Sequence, residues 1–128
     1  MKPLTREWIQ KAEGDFATAS REMRARKSPN FDSACFHAQQ CAEKYFKARL
    51  QEAGIVFPFT HDLGKLLVLL LPVEPLWAGL MTSAKLVSRH AVKARYPGSS
   101  ATREVAKDMV AQCRDIRELA RQSLGLKT

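Results

Sequence analysis

Apolar residues recur along most of the chain at intervals of three and four, the spacing that lays them on one side of an α-helix. Trp8, Ala12, Phe16, Ala19 and Met23 form the first stripe. Thr5 is placed to cap its start, Glu7 complements the helix dipole, and the helix is expected to end near Arg26. Ser28, Pro29 and Asn30 break the pattern, after which Asp32 or Ser33 caps a second helix running to about Ala53, where Gly54 stops it. Thr60 is the expected cap of a short third helix carrying Leu63, Leu66, Leu67 and Leu70 and stopped by Pro72. A fourth begins near Pro75, carries Leu80, Ala84, Val87, Ala91 and Ala94, and ends before Pro97 and Gly98. The fifth follows the cap candidates Ser100 and Thr102, with Val105, Met109, Cys113, Ile116 and Ala120 in one stripe. Ile55, Val56 and Phe57 are β-prone, but Pro58 confines them to loop or edge, so no sheet is expected. The pattern predicts an all-α fold: an up-and-down four-helix bundle with an additional short helix, forming one domain over residues 1–128.

The second helix differs from the others in being apolar on two sides. At 100° per residue, Ala34, Ala38, Cys41, Ala42, Tyr45 and Ala48 share a face of mostly small side chains, and Phe36, Phe46 and Leu50 lie on another. That pattern places the helix between neighbours, or between one neighbour and a second subunit. Between the faces His37, Gln40, Lys44, Lys47 and Gln51 form a polar stripe, a candidate ligand surface.

Charge narrows the choice of partner. The net charge is +8 at pH 7, from 21 Lys and Arg against 13 Asp and Glu, which favours anionic partners such as RNA, DNA or nucleotides. The excess is concentrated: Lys85, Arg89, Lys93 and Arg95 fall in a run without an acid, and the first three recur every fourth residue as a ridge on the fourth helix. These four are expected to bind phosphate, with Tyr96 available to stack on a base. Cys35, Cys41 and Cys113 include no Cys-x-x-Cys pair and read as small buried hydrophobes; no metal or cofactor is expected. The longest apolar run, Leu66 to Val73, is broken by Pro72 and is too short to span a bilayer, and Met1 to Trp8 has no signal-peptide character. A cytoplasmic location is the expectation.

Four segments together resemble the HEPN family, nucleotide-binding helical domains of higher eukaryotes and prokaryotes. They are Trp8-x-x-x-Ala12-x-x-Asp15-x-x-x-Ala19, Phe36-His37-Ala38-Gln39-Gln40-Cys41-Ala42-Glu43-Lys44, His61-Asp62-Leu63 and Ala94-Arg95-Tyr96-Pro97. The resemblance spans nearly the whole chain, and its most specific part is the run in the second helix. It implies a bundle of four or five helices, a homodimer that binds nucleotide or RNA, and a partnership with a separate minimal nucleotidyltransferase in a toxin-antitoxin-like pair.

Many proteins of that family cleave RNA with an Arg followed by four to six residues and then a His. Here Arg89 stands where the arginine belongs, but Ala94 and Arg95 occupy the histidine positions. Arginine keeps the charge and cannot exchange a proton near neutral pH, so binding without cleavage is the expectation. Gly98-Ser99-Ser100 resembles the Gly-Ser loop of nucleotidyltransferases, but no Asp-x-Asp pair follows it to hold magnesium. Asp62 reads as a helix-start acid in preference to a catalytic partner of His61. Two alternatives remain. One is a ribonuclease using His37, His61 or His90 with Arg89 or Arg95; the other is a scaffold whose second apolar face docks a protein.

Overall fold

The computed structural model describes Met1–Thr128 and is all helical: α1 (Pro3–Arg24), α2 (Phe31–Ala53), α3 (Leu63–Leu70), a 3-10 helix (Pro75–Leu80), α4 (Met81–Lys93) and α5 (Arg103–Ser123). α2 is the central element, packed against α1, α3, α4 and α5, and its most extensive contact is with α1. Of the two apolar faces read from its sequence, the first is fully buried and the second is buried except for Phe36, which is partly exposed. Ala34, Ala38, Cys41, Ala42, Tyr45 and Ala48 have no solvent exposure, and neither do Phe46 and Leu50. Small side chains, including Ala12 and Ala19 on α1, permit close helix approach. The four leucines expected on α3 are all in the core.

Helix ends depart from expectation where a partner outside the helix competes for the capping residue. α1 begins at Pro3, whose missing N–H costs nothing at that position. Thr5 is therefore inside the helix and buried, and its Oγ1 donates to Glu52 Oε1 at 3.0 Å, joining the start of α1 to the end of α2. Asn30 caps α2, accepting from Ser33 N at 2.9 Å, while Asp32 accepts from Ala101 N at 2.7 Å and anchors the loop before α5. Asp62, not Thr60, caps α3 by accepting from Lys65 N at 3.2 Å. Thr102 caps α5 as expected. Gly54 ends α2 at φ 71°, the left-handed conformation that favours glycine. The expected fourth helix is divided: Pro75–Leu80 winds as a tighter turn that buries Trp77 beside Phe46, and the α-helix proper starts at Met81.

Polar clamps tie α1, α2 and α5 together. Tyr45 of α2 donates to Glu13 Oε2 at 2.6 Å, and Arg117 of α5 donates to both oxygens of the same carboxylate. Burial raises the Glu13 pKa, but the bonds from Arg117 and Tyr45 and the charges of Arg117 and Arg121 outweigh it and hold the carboxyl below 4.5. The Tyr45 hydroxyl is pushed upward by burial and by Glu13. Cys35, Cys41 and Cys113 are buried free thiols. Burial, aided by Asp32, pushes the Cys35 thiol up to about 11, and burial beside Cys113 raises Cys41 well above the usual thiol value. No helix is long and apolar enough to cross a membrane.

Candidate functional site

A cavity of about 400 Å³ opens between α2, the start of α3 and α4. α4 and the turn after it contribute Lys85, Ser88, Arg89 and Arg95, α2 contributes Gln39, and the segment leading into α3 contributes His61 and Asp62. The volume falls in the usual range for small-ligand sites. The helical period explains the arrangement: Lys85, Ser88, Arg89 and Val92 lie three or four apart, so one side of α4 faces the opening. Ser88 Oγ accepts from Leu63 N at 3.3 Å, fixing the start of α3 against α4.

Lys85, Arg89 and Arg95 make no ion pair with a carboxylate. The Arg95 guanidinium lies 4.8 Å from the centroid of the Phe36 ring, a contact that positions it without neutralising it. Asp62, the one acid lining the cavity, is occupied by the backbone N–H of Lys65.

Beneath the cavity lies a polar network built on Glu43, which is only 2% exposed. Its Oε1 accepts from Gln39 Nε2 at 3.1 Å and from His61 Nδ1 at 2.9 Å, and its Oε2 accepts from Lys47 Nζ at 2.9 Å. Gln39 Nε2 also donates to the His61 carbonyl at 2.8 Å, so His61 is held through both ring and backbone. His61 thus pairs with Glu43 from another element and not with its chain neighbour Asp62.

The polar stripe expected along α2 is divided between two carboxylates. His37 Nδ1 and Lys44 Nζ both turn to Asp15 of α1, at 2.7 and 2.6 Å. Gln40 donates to Gln39 Oε1 at 2.8 Å, and Lys47, 4% exposed, is enclosed by Glu43, Trp8 and Phe59. Lys44 therefore does not share the cavity with Arg89 and Arg95. The expected ridge on α4 is also divided, since Lys85 and Arg89 line the cavity whereas Lys93 lines a smaller depression with His90, Ser99 and Ser100. Tyr96 follows Arg95 in the turn and is 64% exposed.

Of the nine side chains singled out from the sequence, Lys85, Arg89 and Arg95 share one cavity. Gln39, His61 and Ser88 join them and were not among the nine. Gln39 and Glu43 sit four apart on α2, a helical pair visible in the sequence, but only the fold shows that His61 meets them.

These features define an all-α bundle domain with a cationic cavity at the junction of three helices. Residues 5–123 match the model of the HEPN domain family, and the chain belongs to that family. Among solved structures it is similar to TT1696 from Thermus thermophilus, at 21% identity over 92% of this chain and 96% of that one, with a TM-score of 0.80. It is also similar to ST0689, an archaeal HEPN homologue, at 25% identity over 96% of this chain and 98% of that one, with a TM-score of 0.75. No curated protein sequence matches the chain.

Proposed function

We propose that the chain is a noncatalytic HEPN-domain protein that holds a nucleotide, or a phosphate of RNA, in the cavity between α2, α3 and α4. The observation behind this reading is the meeting of Lys85, Arg89 and Arg95, without carboxylate partners, around about 400 Å³ of open space. Guanidinium groups bind phosphate through paired donors, and an already unneutralised cluster has no internal pair to break on binding. Gln39 and His61 add hydrogen-bonding groups at the wall, and the exposed Tyr96 ring offers a surface for a base. Ala94 and Arg95, at the positions of the family's histidine, support binding without cleavage.

Family membership supports the rest of the proposal: a homodimer acting beside a separate minimal nucleotidyltransferase in a toxin-antitoxin-like pair. Titration calorimetry with ATP, GTP and a short RNA tests the binding reading, and no heat from any of them at millimolar ligand removes it. Light scattering tests the dimer. Co-expression with a neighbouring nucleotidyltransferase, if the two fail to co-purify, removes the partnership.

One observation favours a second reading, metal-independent RNA cleavage. His61 is oriented by the buried Glu43 carboxylate and lines the same cavity as Arg89, the relation of a proton-transferring histidine to its positioning acid and to a charge-stabilising cation. Incubation with labelled RNA distinguishes the readings. Cleavage abolished by both His61→Ala and Arg89→Ala establishes the enzyme, and intact RNA favours binding alone.

A further inference from the structure

A second set of unpaired cations lies on different elements. Arg24 at the end of α1 and Arg103, Lys107 and Arg114 along α5 line an open groove of about 560 Å³, floored in part by Met23 and Val110. No carboxylate lines it, and none of the four cations takes part in an ion pair. The groove shares no residue with the cavity beside α4.

Two of these cations are positioned without being neutralised. Arg103 lies 4.9 Å from the centroid of Phe31, and Arg114 lies 5.9 Å from that of Phe16. A ring face restrains a guanidinium while leaving its in-plane N–H donors free, so less ordering remains for a ligand to impose. By contrast the next arginine on the helix, Arg117, also lies over Phe16 but is committed to Glu13. The change from paired to unpaired arginine along α5 marks one end of the groove.

The shape selects among anions. Arg103 and Arg114 are eleven residues apart on one helix, about 17 Å at 1.5 Å per residue. At about 3.4 Å of rise per stacked nucleotide, that length spans roughly five phosphates. A mononucleotide cannot bridge it. Three of the four cations are arginines, suited to paired phosphate contacts, and the apolar floor accommodates sugars and bases.

We propose that the groove between α1 and α5 is a binding site for a single-stranded nucleic acid, contacted through its phosphodiester backbone by Arg24, Arg103, Lys107 and Arg114. The site is independent of the nucleotide reading of the cavity. Fluorescence anisotropy with a labelled twelve-nucleotide oligouridylate tests it on the full chain. The R103A/K107A/R114A variant is expected to lower the slope of log affinity against log salt by about 2, so that the affinity lost between 50 and 200 mM salt shrinks roughly twentyfold. The R24A/K107A variant is expected to lower the slope in the same direction, and because neither side chain stacks on a ring it decides the matter if the triple variant does not fold. ATP titrations of both variants should match the unsubstituted chain, whereas Arg89→Ala should affect ATP, so failure of the cavity and failure of the groove are separable. Unchanged slopes in the folded variants, or no RNA binding by the unsubstituted chain at 50 mM salt, overturn the proposal. So does displacement by polyglutamate as efficient as displacement by unlabelled RNA, which assigns the groove to an acidic protein.

Discussion

Glu13 and Arg117 stand 104 positions apart in the chain and meet through two parallel bonds, Nε donating to Oε2 at 2.8 Å and Nη2 donating to Oε1 at 2.7 Å. The fork fixes the spacing and orientation of α1 against α5, and Tyr45, bonded to the same carboxylate, adds α2. Glu13→Gln keeps the shape and removes the charge. Because the Glu13 side chain is 35% exposed, solvent screening limits the effect, and the expected loss is about 1–2 kcal/mol, read from urea unfolding.

Acid should erase that difference. The folded carboxyl titrates below 4.5, so as pH falls the unfolded chain takes up its proton first. The stabilisation is complete above the ordinary carboxylate pKa and is lost as pH drops through the lower folded value. Urea midpoints of the unsubstituted chain and Glu13→Gln, followed from about pH 6 to about pH 2.5, should therefore converge at the acid end. A gap that persists undiminished would show that the Glu13 charge is not its source.

The Glu43–Lys47 pair carries more at stake because both of its side chains are buried. Glu43→Gln leaves the Lys47 ammonium buried, still near Trp8 and Phe59 but without its counter-charge. Breaking a buried pair from one side costs on the order of 3 kcal/mol, which a thermal melt would register as a fall of several degrees. The His61 ring also loses its charged acceptor, while the Gln39 bond to the His61 carbonyl remains, so nucleotide affinity should fall in this variant even at temperatures where it remains folded.

Position on α4 should matter more than charge. Arg89→Ala is expected to weaken ATP about 10-fold or more, the scale of one charge-assisted phosphate contact. Lys93→Ala removes the same charge from the same helix, but Lys93 borders another depression, and affinity should stay within about twofold. Lys44→Ala should behave like Lys93→Ala, because Lys44 is engaged with Asp15. Calorimetry on the three variants separates a local site from a diffuse field, since equal losses would indicate the field.

The fold was legible because burial enforces periodicity. The apolar residues expected on α3 and the last four of the α5 stripe are fully or almost fully buried, and both apolar faces of α2 found neighbours. Capping was less legible. A threonine reads as a cap by its own chemistry, but Thr5 was claimed by Glu52 from a distant helix, and Asn30 took the role expected of Asp32 or Ser33. The candidate site was legible only where its members share one helix. Lys85 and Arg89 follow from spacing, whereas the grouping of Gln39, Glu43 and His61 depends on how α2 packs against the chain entering α3. The same dependence misled the reading of Lys44 and Lys47, whose positive charge is visible in sequence while the acids that absorb it are brought in by folding.

The three sequestered thiols have a practical use. Held protonated and away from solvent, Cys35 and Cys41 are poor nucleophiles toward maleimides, and Cys113 is equally shielded from the reagent. A single cysteine introduced in the exposed loop at Ser99 would therefore accept a fluorophore selectively, with no need to strip the native ones first.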